Sequence, residues 1–191
     1  MSSVRMKHRI FATVLLFIVW IQPAAAAPGL PLPHSPRIVT DALTGKTLPD
    51  LELVDFQPPY GTVRLHQWID LENKPVVLAF LDGNLPDHHV QVTPLERLAR
   101  STYRKILSIG IVNIHKRPEA YARFLGPARS SRCRLFAIRR KKLIQSLNPG
   151  PFPVIVYVSR QHRIFKCCAS YCDYDILKQD VDSLLDDYRS H

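Results

Sequence analysis

Four cysteines are the residues of this chain best suited to chemistry: Cys133 stands alone, and Cys167, Cys168 and Cys172 follow close together. Cys168 and Cys172 form Cys-x-x-x-Cys. Two thiols about a helical turn apart can exchange with a disulfide, provided that one is exposed and has a lowered pKa. The same even count can instead close structural bridges in an oxidising compartment. Four cysteines allow three complete pairings, and spacing does not choose among them. Vicinal Cys167 and Cys168 would strain a bridge to each other. The expectation is therefore a staple from Cys133 to one member of the later cluster, with Cys168 and Cys172, or Cys167, as the alternative redox pair.

Two further groups of side chains need weighing. His88 and His89 are adjacent, with Asp82 and Asp87 nearby, but neighbouring residues rarely hold one ion together. A metal would need a distant ligand such as His115 or His162, and no recognised ligand spacing is present. No metal site and no cofactor are expected. The stretch from Arg129 to Lys142 holds seven basic residues (Arg129, Arg132, Arg134, Arg139, Arg140, Lys141 and Lys142) and no acid. Its interleaved Leu135, Phe136, Ile138, Leu143 and Ile144 predict a helix with one wet face. Arg139, Arg140, Lys141 and Lys142 are the candidate anion-binding residues, facing glycans or lipid headgroups. Nucleic acid is not an expected partner, because aromatic platforms apart from Phe136 are missing here.

The chain opens on Arg5, Lys7 and Arg9, an apolar run from Ile10 to Ile21, and Ala24-Ala25-Ala26-Ala27, the pattern of a cleaved secretory signal over residues 1–27. The apolar run is shorter than the roughly 20 residues that span a bilayer. The expected location is secreted or periplasmic, with no membrane span left after cleavage. The leader holds three of the formal positive charges, so about +7 of the net +10 belongs to residues 28–191. Residues 28–45, with Pro28, Pro31, Pro33 and Pro36, read as a linker. Residues 46–191 read as one domain.

The elements that must position these residues are legible in the hydropathy pattern. Residues 48–56 and 61–65 alternate apolar and polar residues and predict an N-terminal β-hairpin. Val76–Leu81 and Leu107–Ile114 are too continuously apolar for strands wetted on one face, so both are expected inside a covered sheet. Leu95, Leu98, Ala99 and Thr102 recur at helical spacing between them, making a strand, helix, strand unit with a parallel pair. Thr93, Pro94 and Glu96 form a capping-box pattern that starts this helix at Thr93; the alternative is an earlier start with a bend at Pro94. A helix over Pro118–Leu125 is predicted to stop at Gly126-Pro127. Asn148 to Pro153 forces a turn into the strand Val154–Val158, which pairs with Ile164–Lys166 as a hairpin. The closing segment from Asp175 to Tyr188 is an amphipathic helix, with Asp173 and Asp175 suited to its N-terminus.

This order, with Lys74-Pro75 before the first central strand and proline before the late hairpin, resembles exported thioredoxin-like proteins of the thiol-disulfide oxidoreductase and redoxin type over roughly residues 48–188. The resemblance implies an α/β fold, a mixed central sheet flanked by helices with an N-terminal β-hairpin. In that frame Leu85-Pro86-Asp87-His88 stands in place of the usual Cys-x-x-Cys, with Leu85 and His88 at the two cysteine positions. Pro153 stands where these proteins carry a cis-proline facing the redox loop. The resemblance implies a groove for an extended peptide at Leu85, His88 and Pro153. The function expected is a non-catalytic, chaperone-like module that binds a peptide or protein partner in the exported compartment. The alternatives are an oxidoreductase with a displaced cysteine pair and a protein docking on an anionic surface through its basic segment.

Overall fold

A computed structural model describes residues 41–58, 60–82, 88–114, 132–138 and 153–190, with the backbone alone for His88 and His89. The chain divides into the units Met1–Pro33 and His34–His191, and every described residue lies in the second. The described strands are β1 (Glu52–Asp55), β2 (Gly61–Arg64), β3 (Val76–Leu81), β4 (Ser108–Asn113), β5 (Arg134–Ala137), β6 (Val154–Val158) and β7 (Ile164–Ala169). They form one sheet in the order β2-β1-β5-β4-β3-β6-β7. β3, β4 and β5 run parallel, while β1, β6 and their outer neighbours pair antiparallel. Three helices among the described residues flank it: α1 (Leu65–Glu72), α2 (His88–Arg100) and α3 (Tyr174–Ser190).

All six residues of β3 are buried, and successive side chains of a strand point to opposite faces. Val77, Ala79 and Leu81 join Leu95 and Leu98 of α2 and Leu177, Val181 and Leu184 of α3 on one face. Val76, Leu78 and Phe80 join Leu65, Trp68 and Ile69 of α1 on the other. The predicted N-terminal hairpin, both central strands, the late hairpin and the closing helix are all present. Asp173 caps α3 as its position suggests, its carboxylate accepting the Ile176 N–H at 2.9 Å. The architecture is the thioredoxin-like α/β fold.

Several expectations need correction. α2 begins at His88 and contains Pro94, and Thr93 is exposed inside it, so the capping-box start is wrong and the earlier start holds. Thr102 belongs to a separate 3-10 turn at Thr102–Lys105 and is exposed. The basic stretch is not helical where it is described: Arg134–Ala137 is strand β5, with Leu135 buried on one face and Phe136 on the other. Both faces are covered, so its alternation in space is invisible as alternation of polarity. α1 went unpredicted because it is eight residues long and has no side-chain N-cap; Asn73 ends it in the left-handed region at φ 53. The folded part also reaches back into the expected linker. Leu43 is buried, and the Gly45 N–H donates to the Ile164 carbonyl at 2.7 Å. The predicted helix over Pro118–Leu125 lies outside the described residues.

Gly110 sits where β4 passes under α1, and a Cβ there would lie 3.0 Å from Leu78 Cδ2, 3.1 Å from the Trp68 ring and 3.3 Å from the Phe136 ring. Packed cores do not yield to such insertions without displaced side chains. Gly110→Ala is expected to lower stability by about 1–3 kcal/mol, read as a lower urea midpoint at unchanged slope.

Candidate functional site

The site begins where β3 ends. Leu81 closes the strand, Asp82 is half-buried, and α2 starts at His88. Because Val154 of β6 pairs with Phe80 in an antiparallel register, Pro153 comes level with Leu81. Pro153 and the start of α2 therefore share one end of the sheet. Leu85 lies outside the described residues, as does the peptide bond before Pro153; of His88 only the helical backbone is described.

The first turn of α2 is anchored by Gln91, which is fully buried. Its Nε2 donates to the Cys172 carbonyl at 2.9 Å, and its Oε1 accepts the Cys172 N–H at 2.8 Å. One side-chain amide thus satisfies both backbone groups of a residue in the connection from β7 to α3, where unpaired groups would be costly. The turn that positions the β3–α2 loop is thereby tied to the C-terminal part of the chain. Sequence reasoning missed Gln91. The available signal was its place four residues before Leu95, on the apolar stripe of the helix.

A second buried polar group lies below. Asp180 of α3 is 1% exposed; it accepts from Lys166 Nζ at 2.6 Å and, on its other oxygen, from Cys168 Sγ at 3.8 Å. Tyr157 is buried on the same face, and burial, then the charge of Asp180, hold its pKa well above the ordinary value. Asp180 also stands on an apolar stripe, between Leu177 and Leu184.

The cysteines are all buried thiols in this structure. Cys133, Cys168 and Cys172 belong to the face covered by α2 and α3, and Cys167 to the α1 face. Cys133 precedes β5 and the later cluster begins in β7, four strand intervals apart in the sheet order. That is about 19 Å at ordinary strand spacing, against a Cα separation of roughly 7 Å at most for a disulfide. The expected staple from Cys133 is therefore incompatible with this sheet for Cys167 and Cys168, and Cys172, in the connection after β7, is a thiol as well. Within the cluster, only Cys168 and Cys172 share a face.

Burial, then the proximity of Cys168, pushes the Cys167 thiol up from 9.0 to about 12. It is not a nucleophile at neutral pH. Among the described residues no group of three or more histidines, cysteines or carboxylates is placed to hold a metal. His162 lies in the β6–β7 turn, at the opposite end of β6 from Pro153, with its Nε2 2.9 Å from Asp70 Oδ1 and its ring stacked on His66 at 4.1 Å. The sheet thus keeps it away from the start of α2. His115 and the segment Arg139, Arg140, Lys141 and Lys142 lie outside the described residues. No helix among the described residues is long and apolar enough to cross a membrane.

No protein-family model matches the chain, and no curated protein matches it in sequence. Solved structures do. A DsbE-like thiol:disulfide interchange protein from Chlorobium tepidum superposes with a TM-score of 0.64 at 15% identity, covering 74% of this chain and 97% of that one. The thioredoxin domain of a thiol-disulfide oxidoreductase from Bacteroides vulgatus gives 0.60 at 19% identity, covering 73% and 96%. An exposed lipoprotein thioredoxin from Streptococcus pneumoniae gives 0.56 at 14% identity, covering 71% and 99%. At these identities the likeness establishes the thioredoxin-like fold.

Two outcomes are expected from this geometry. Gln91→Ala strands two buried backbone groups and should cost about 2–4 kcal/mol in urea unfolding. For Cys167, the folded pKa near 12 lies above the ordinary 9.0, so its contribution to stability is full below about pH 9 and is lost as pH rises towards 12. At pH 8 the folded chain should carry roughly a thousandfold less Cys167 thiolate than an exposed thiol. Iodoacetamide should accordingly label Cys167 only after denaturation, as read by peptide mapping.

Proposed function

We propose that this protein is an exported thioredoxin-fold module that binds an extended peptide or an unfolded protein segment without thiol-disulfide turnover of its own. The observation that carries the reading is the sequence of the loop joining β3 to α2. Residues 82–88, Asp-Gly-Asn-Leu-Pro-Asp-His, contain no cysteine, and the four cysteines of the chain are buried elsewhere. An exchange reaction needs an exposed, low-pKa thiolate, and a loop without a thiol offers none. Pro153 stands level with the end of β3, and the peptide site proposed at this edge takes Leu85 and His88 as its further contacts. Main-chain hydrogen bonds and a few apolar contacts would supply its affinity. Such a partner would be met in a secreted or periplasmic setting, consistent with the leader pattern over residues 1–27, and no cofactor is required.

One observation favours a second reading, a displaced oxidoreductase. Cys168 and Cys172 lie on one face of the core, and the backbone of Cys172 is held against the first turn of α2. Exchange through this pair would require Cys172 to leave its buried position.

The two readings separate cleanly by experiment. The binding reading expects saturable anisotropy changes with labelled, reduced and alkylated polypeptide, weakened about tenfold by Pro153→Ala in a variant that still unfolds cooperatively. It expects disulfide reductase activity at the level of buffer, unchanged by Cys168→Ser/Cys172→Ser. Turnover abolished by that double substitution, with no binding of unfolded polypeptide, would establish the oxidoreductase instead.

A further inference from the structure

At the end of the sheet away from the start of α2, where β3, β4 and β5 begin, the surface folds into a cleft of about 220 Å³. Four cationic side chains line it, Lys74, Arg104, Arg132 and Arg134, against one carboxylate, Glu72. Arg134 is already compensated, its Nε donating to Asp55 Oδ2 at 2.8 Å. Glu72 accepts the Ser108 hydroxyl at 2.6 Å. Lys74, Arg104 and Arg132 form no ion pair with any described residue, so even with Glu72 set against them the described lining of the concavity keeps an excess of cations. Trp68 also lines the cleft; it is 4% exposed, and its indole N–H is buried without a hydrogen-bond partner.

We propose that this cleft binds a single oxyanion group, a phosphate, sulfate or carboxylate, carried by a small molecule or by the end of a larger one. Like charges gathered around a concave, partly apolar surface repel one another, and an anion relieves that repulsion while the concavity focuses the field upon it. Guanidinium forks match the paired oxygens of such groups, and charge-assisted hydrogen bonds are the stronger kind. The indole N–H, a donor with no acceptor of its own, would gain one from a small side-chain adjustment. Size sets the class of ligand. The volume falls below the roughly 300–1,000 Å³ of pockets that enclose whole small molecules, which leaves room for one anionic group and little else. The site is separate from the Pro153 edge, and its existence does not depend on the function proposed above.

Trp68 supplies the readout. The full chain carrying Trp20→Phe has Trp68 as its sole tryptophan, and it is titrated at fixed ionic strength with inorganic phosphate, sulfate and acetate in separate arms. The expected result is a saturable change in Trp68 emission and in its indole N–H resonance for at least one anion. The arm that responds most tightly identifies the group. Arg104→Gln and Arg132→Gln should each weaken that binding about tenfold, and Lys74→Gln provides a third, independent removal of charge. Arg189→Gln, on α3 and outside the cleft, should leave it unchanged, and urea midpoints of all four variants verify folding. No saturable change with any of the three anions, or an affinity indifferent to Arg104, Arg132 and Lys74, would overturn the assignment.

Discussion

Burial of β3 on both faces is the constraint on which the rest of this structure depends. A strand covered on both sides must find all its backbone partners in neighbouring strands; β4 pairs with it over its whole length and β6 from Val76 to Phe80. Its alternate side chains need two separate apolar layers. α2 and α3 provide one, and α1 with residues from Leu43 to Leu53 provides the other. β3 then ends at a rim of the sheet, which is where a fold of this kind can expose side chains to a partner.

Among the described residues buried polar side chains are few, and three of them tie elements together. Gln91 ties the first turn of α2 to Cys172. Asp180 ties α3 to β7 through Lys166, and Asp55 ties the N-terminal hairpin to β5 through Arg134. Removing one partner of such a pair leaves the other buried and unsatisfied, which is costlier than the net worth of the bond. Of these contacts, the one through Gln91 holds the start of α2 at the β3–α2 rim.

The sheet also decides what the cysteines are capable of. Strand order holds Cys133 apart from Cys167 and Cys168, and the alternation of β7 sends those two to opposite layers. Cys168 is engaged by a carboxylate, and Cys167 is held in its thiol form by burial. Three of the cations that gather in the cleft at the opposite rim come from segments far apart in the chain: Lys74 after α1, Arg104 in a 3-10 turn, and Arg132 before β5. Of the four cations that line the cleft, Arg132 and Arg134 belong to the basic stretch, and Lys74 and Arg104 do not.

By itself the sequence determined the covered strands, the late hairpin, the capped closing helix and the lack of cysteine in the β3–α2 loop. Each is a local property of consecutive residues: an unbroken apolar run, a turn signal, an acidic N-cap, a residue type at a position. It left β5 and α1 unread, because a short strand covered on both faces and a two-turn helix without a cap carry little periodicity. It also misjudged the start of α2, where local capping chemistry at Thr93 competed with tertiary packing, and the packing of Gln91 against Cys172 prevailed. Only the tertiary structure decided which cysteines share a layer, which buried polar residue holds the rim, and which cations meet around Trp68. Those relations depend on strand order and on the facing of side chains across the sheet, which bring together residues distant in the chain, such as Gln91 and Cys172, 81 positions apart.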